Sequence, residues 1–205
     1  MRALMNSSML NKKTTASDKA HRYQDIIHLF NNLFAISENT RLVKGKEEPI
    51  YLPAKEPQDF HQIVFAHGYF ASALHEIAHW CIASKERRLK EDYGYWYCPD
   101  GRDSEQQKEF ERVEIKPQAI EWAFSIAANK PFSVSTDNLN GASPNTLAFH
   151  HNVHLQALHY LRHGFPQRAQ QFIHTLQRFY SSPNLCEQDF SANPTQNKRI
   201  AHAVI

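Results

Sequence analysis

Leu74-His75-Glu76-Ile77-Ala78-His79-Trp80 holds two histidines four residues apart inside an apolar repeat. Phe70, Leu74, Ile77, Cys81 and Ile82 recur at three- and four-residue steps, which predicts a helix over about residues 70–88. Lys85 to Arg88 then lie near its C-terminus, where the helix dipole favours cations. On such a helix His75 and His79 stand one above the other. Two neutral imidazoles so placed can share one divalent ion at about 2.0–2.1 Å. Glu76, displaced around the helix, can address a water bound to that ion. His and Glu each occur 13 times in the 205 residues, so roughly 0.05 chance matches to the pattern are expected. As ordinary hydrogen-bonded histidines the pair would lose solvation without gaining a common partner, whereas a metal compensates both.

The third ligand has to come from another segment. A second helical pattern runs from Ser104 to about Asn129, with Ser104 expected as N-cap, Gln107 three residues later, and Pro117 expected to kink or split the helix. Its apolar stripe is Phe110, Val113, Pro117, Ile120, Phe124 and Ala127, and Glu114 sits four after Phe110 and three before Pro117, facing the core. Glu111 borders Gln107, Lys108 and Gln118, which reads as a solvated face, and Glu109 beside Glu105 and Arg112 reads as surface charge. Glu121, seven after Glu114, is a second choice as ligand or as a support for one. His150, His151 and His154, with His159 beyond, form a rival source ranked below Glu114, because Leu147, Val153, Leu155, Leu158 and Leu161 already account for packing there. His67, ahead of Gly68, reads as a loop or cap residue.

Outward from these helices, Tyr23, Ile26, Ile27, Phe30, Leu33 and Phe34 predict a first helix from near Asp18 to near Ile36. Arg41–Val43, Ile50–Leu52 and Ile63–Ala66 are short β-rich stretches separated by glycine and prolines, so a small sheet is expected. Tyr93 to Tyr97 is an aromatic run with Trp96 on the packing side, leading into a turn at Pro99, Asp100 and Gly101. Two further helices are expected, over residues 146–163 and from Pro166 to about Tyr180 with Phe172, Leu176 and Phe179 facing inward. The fold class is α+β and mainly helical, with a small sheet beside the metal-binding helix in a zincin-like core. The expected organisation is a disordered tail over 1–18, one domain over 19–182 and a C-terminal tail over 183–205.

Composition narrows the function classes. Lys plus Arg exceed Asp plus Glu by only 23 to 21, so no direct nucleic-acid binding is expected from net charge. No stretch reaches the apolar length of a membrane span. Cys81, Cys98 and Cys186 are scattered, which argues against a disulfide framework or a thiolate zinc site and fits a soluble protein of the reducing cytoplasm.

Beyond the metal pattern, the chain resembles the bacterial elongation factor P hydroxylase family over Arg41 to Trp122. The segments that carry the likeness are Glu48-Pro-Ile-Tyr-Leu-Pro53, Ile63-Val-Phe-Ala-His-Gly68, His75-Glu-Ile-Ala-His-Trp-Cys81, Gly94-Tyr-Trp-Tyr-Cys-Pro-Asp-Gly-Arg-Asp103 and Val113-Glu-Ile-Lys-Pro-Gln-Ala119. The resemblance implies an enzyme that hydroxylates the β-lysylated lysine of translation elongation factor P. It also implies a metal triad of His75, His79 and Glu114, in agreement with the helical-face reading. Two histidines and one carboxylate suit non-haem Fe(II) with positions free for dioxygen, and zinc or nickel are expected as replacements by mismetallation. Arg102 and Lys116 are candidate contacts for the factor. The rival enzyme is a zinc peptidase in which Glu76 activates water. A closed structural metal module with Tyr93 to Tyr97 as contact surface needs four protein ligands, one more than the three good candidates found.

Overall fold

The computed structural model describes residues 20–57, 59–92, 101–136 and 146–191. The apolar steps of the first helical pattern become α1, Tyr23–Phe34, which buries Ile26, Phe30 and Phe34. It starts after an extended Arg22 and stops where the apolar face ends, leaving Ile36 in solvent. The expected start near Asp18 and the tail before it lie outside the described residues, as does the aromatic run 93–100.

Three strands follow: β1, Thr40–Lys44; β2, Ile50–Leu52; β3, His61–Phe65. β3 is central, parallel to β1 (Leu42 beside Ile63) and antiparallel to β2 (Tyr51 beside Ile63). α1 is tied to the β1 edge by one side chain: Asn31 Oδ1 accepts from the Leu42 N–H at 2.7 Å and its amide donates to the Leu42 carbonyl at 3.4 Å. Gly45 ends β1 where a Cβ would meet Val64 Cγ1 at 2.7 Å, so only glycine fits.

His67 (φ 52°) and Gly68 (φ 80°) are consecutive left-handed residues that turn the chain from β3 into the metal-pattern helix, α2, Phe70–Ile82. His67 is therefore a loop residue, and an unusual one, since φ > 0 strains any side-chain-bearing residue. α2 ends six residues before the expected Arg88, because its last carbonyls are taken by a side chain from far along the chain. Arg168 Nη2 donates to Trp80 O at 2.9 Å, Cys81 O at 3.1 Å and Ala83 O at 2.7 Å. Ala83 is extended, and Arg87–Leu89 forms a separate 3-10 turn.

α3, Ser104–Ala127, is capped by Asp103 and not by Ser104. The Asp103 carboxylate accepts from the N–H groups of Glu105 and Gln106 at 2.9 Å, and the Gln106 side chain accepts from the Asp103 N–H at 3.1 Å. Pro117 does not split it. An interior proline costs about 3 kcal/mol, offset here by packing on both sides that buries Ala119, Ile120, Ala123 and Phe124 completely. α4, Thr146–His163, and α5, Gln167–Tyr180, complete the helical layer. In α4 the packing residues are Phe149, Val153 and Ala157; Leu147 and Leu155, expected to pack, are exposed.

One core joins these elements. Phe30, Phe34 and Trp80 meet with ring centroids about 5 Å apart, and Phe124 meets Phe172 edge-on at 5.1 Å. Burial of each such ring contributes about 1.5–3 kcal/mol. The core extends past the expected boundary at 182: Phe190, in a 3-10 turn over Glu187–Phe190, is fully buried with its ring 5.5 Å from Trp122.

Candidate metal centre

α2 presents His75 and His79 one turn apart, and α3 crosses it with Glu114 at the same height. His79 Nε2 lies 3.0 Å from His75 Nε2 and 3.1 Å from Glu114 Oε1, while His75 Nε2 lies 3.5 Å from Glu114 Oε2. One ligand atom from each residue falls within 4.8 Å of the others, a set that can hold a metal ion. Atoms about 2.0–2.1 Å from a common centre are separated by about 3 Å, so these spacings fit a shared ion. Glu114 is 4% exposed, a burial that a lone carboxylate does not tolerate without cationic partners.

The supports are carboxylate and amide. His75 Nδ1 donates to Glu121 Oε2 at 2.9 Å, which fixes the tautomer and turns Nε2 towards Glu114. Gln118 Nε2 reaches Glu114 Oε2 at 3.4 Å and donates to the Ser135 carbonyl at 2.7 Å, while Gln118 Oε1 accepts from the Ser135 N–H at 3.1 Å. Gln107 in turn accepts from Arg102 Nε at 3.0 Å. Gln107, Glu111, Glu114, Gln118 and Glu121 thus form one polar stripe of α3. Gln107 and Gln118 are buried, so the face read as solvated beside Glu111 carries the supports of the site. The signal that finds Gln118 is its spacing of four from Glu114, the same step that pairs His75 with His79.

Protonation follows from this packing. Burial opposes a charge on His75, but Glu114 and Glu121, with help from Glu76, outweigh it and hold its pKa up to about 10. Burial would raise Glu114, yet the charges of His79 and His75 and the bonds from His79 and Gln118 hold it down at about 2. Burial pushes Glu76 up, with His75 and His79 opposing. Without a metal His75 and Glu114 are held as an ion pair, in which a divalent ion can take the place of the His75 proton.

A cavity of about 670 Å³ opens beside the trio. Ile50, Tyr51 and Ile63 of the sheet and Trp80 and Ile82 of α2 form apolar walls, and His75, Glu76, His79 and Glu114 line its metal end. Other expected residues lie elsewhere. His150 and His154 sit beside the Trp122 indole, with centroids at 5.5 and 5.9 Å, and line neither the cavity nor the trio. Glu109 is an exposed partner of Arg112. Arg102 does line the cavity but is not a free surface contact: it is 1% exposed, stacked 3.8 Å over Phe110 and donating to the Thr136 carbonyl at 2.8 Å. Lys116 is exposed and outside the cavity lining.

Comparison with known proteins adds the last observation. A family model described as elongation factor P hydroxylase matches residues 29–190. A protein of Haemophilus influenzae named elongation factor P lysine hydroxylase is 51% identical over 162 residues, which cover 79% of this chain and 91% of that protein.

Proposed function

This chain belongs to the elongation factor P hydroxylase family, and from that membership we propose that it hydroxylates a lysine side chain of elongation factor P after a β-lysyl group has been attached. Hydrolysis of peptides by the same His-Glu-x-x-His pattern finds no support in either comparison. The observation that carries the reading onto particular residues is the convergence of His75, His79 and Glu114 at the end of an apolar-walled cavity.

In this reading His75, His79 and Glu114 hold one Fe(II). An Fe(II) held by these two histidines and one carboxylate would supply the dioxygen chemistry that C–H hydroxylation requires, with two further electrons from a reductant. The remaining work is done by the chain. Glu121 keeps the His75 proton on Nδ1 and its Nε2 free to ligate. Gln118 holds the Glu114 carboxylate and anchors it to the 135 backbone. Ile50, Ile63, Trp80 and Ile82 give an aliphatic side chain a dry wall and keep it from bulk water. Zinc and nickel, which accept the same ligands, bind as inactive substitutes.

The His-Glu-x-x-His helix with a carboxylate from a following helix supports a zincin-like arrangement of the core. The domain takes in the buried Phe190, beyond the end of α5. A translation factor as substrate sets the work in the cytoplasm, and among the described residues no helix is long and apolar enough to cross a membrane. Mass spectrometry of elongation factor P from cells with and without this protein tests the reading. One oxygen atom should be missing from the modified lysine when the protein is absent, and an unchanged mass overturns it.

A further inference from the structure

We infer that Glu76, with Glu48 at the cavity mouth, anchors the ammonium group of the lysine-type side chain that the cavity takes; the inference rests on the hydroxylase reading. Glu76 points from the same helix as the two histidines into the cavity, yet forms no hydrogen bond or ion pair among the described residues. A hydroxylase has no need of a base that activates water for hydrolysis, so the role that this glutamate fills in a peptidase is vacant.

The charges around the cavity identify what Glu76 receives. Each arginine in the lining is already engaged. Arg87 donates to Asp92 at 2.8 Å, Arg88 to Glu38 at 2.9 Å, and Arg102 to Gln107 at 3.0 Å and the Thr136 carbonyl at 2.8 Å. His75 and His79 face Glu114, and His75 also faces Glu121. Among the described residues that leaves two lining carboxylates without an ion-pair partner, Glu76 inside and the exposed Glu48 at the rim. Ile50, Tyr51, Ile63 and Trp80 line the same cavity. A cavity with apolar walls and unpaired carboxylates is complementary to an aliphatic chain that ends in an ammonium group.

A second, independent feature also points to an occupant with polar ends. Trp80 is 3% exposed and lines the same cavity, and its indole N–H has no hydrogen-bond partner among the described residues. A buried donor left unpaired is unfavourable, and an acyl oxygen on an occupant of the cavity is the kind of acceptor it lacks. An acylated lysine supplies the aliphatic stem, the ammonium and the oxygen together.

The test uses full-length protein loaded with Zn(II), which occupies the site without turnover. It is titrated with Nα-acetyl-lysine amide and, separately, with Nα-acetyl-norleucine amide, which lacks the ammonium. Wild type should prefer the lysine probe by about tenfold or more, the worth of a hydrogen bond between charged groups. Glu76→Gln should erase that preference while zinc content, thermal midpoint and norleucine binding stay unchanged, and Glu48→Gln should reduce it in part. A wild type that does not discriminate, or a Glu76→Gln variant that still does, overturns the inference. The hydroxylase reading fails separately, if wild-type protein adds no oxygen to elongation factor P. With that factor as substrate, Glu76→Gln should raise KM far more than it lowers kcat.

Discussion

Glu114 stands between two histidines that cannot hold an ion firmly by themselves, and its buried carboxylate is kept in place by Gln118. Glu114→Ala should therefore abolish metal retention and turnover together, as read by metal analysis of the purified variant. Glu121 acts one bond further out, so Glu121→Ala should weaken metal affinity by about 10- to 100-fold. Glu121→Gln, whose amide oxygen still accepts from His75 Nδ1, should recover much of it; equal loss in both variants would remove the positioning role. Protons add a further check. His75, raised from 6.5 to about 10, stabilises the metal-free protein fully below its unfolded value, and that contribution is lost as pH climbs through about 10. Glu114, lowered from 4.5 to about 2, works in the opposite sense: its contribution is present above 4.5 and lost as pH falls through about 2. Between these limits the metal must displace the His75 proton, so affinity should rise from about pH 6 to about pH 8 with proton release on binding. Competition titrations in buffers of different ionisation enthalpy measure this, and a flat affinity would contradict it.

At the scale of elements, the metal helix depends on contacts that local pattern does not encode. The three carbonyls at the end of α2 are satisfied by Arg168, whose guanidinium also stacks 4.6 Å over the Trp80 ring. Arg168→Ala should destabilise the fold by about 2–3 kcal/mol, measured by chemical denaturation. Arg168→Lys should recover little of that, because an ammonium has no planar face to stack on the Trp80 ring while it donates to the carbonyls. This contact also explains what the sequence could and could not disclose. The periodicity of Phe70, Leu74, Ile77 and Cys81 located α2 and put His75 and His79 on one face, and the step from Phe110 put Glu114 opposite them. The end of α2 was misplaced because Lys85 to Arg88 look like C-terminal cations, whereas the capping cation arrives from α5. The N-cap of α3 slipped by one residue because Asp103 and Ser104 are both good caps, and only the reciprocal bonds with Gln106 decide between them. Gln107 and Gln118 were misassigned to solvent because polar side chains on a helix signal exposure unless their partners, here Arg102 and the 135–136 backbone, are known.

At the scale of the whole molecule, α1, the sheet and α2 to α5 close around one core whose last member among the described residues is Phe190, in the 3-10 turn after α5. Phe190→Ala should cost about 3–5 kcal/mol by opening a cavity against Trp122. A chain ending at residue 182 should melt well below one ending at 191; equal melting temperatures would return the domain boundary to the end of α5. The family match, which runs to residue 190, agrees with the longer domain. Most direct is a reaction of anaerobically purified, Fe(II)-loaded protein with β-lysylated elongation factor P and ascorbate as two-electron reductant on exposure to oxygen, one oxygen atom going to the substrate and the other to water, followed by intact mass. Wild type should add one oxygen atom to the modified lysine, and the metal-free protein and Glu114→Ala should add none. Oxygen transfer that persists in Glu114→Ala, or none in the loaded wild type, would contradict the assignment of this trio as the hydroxylating centre.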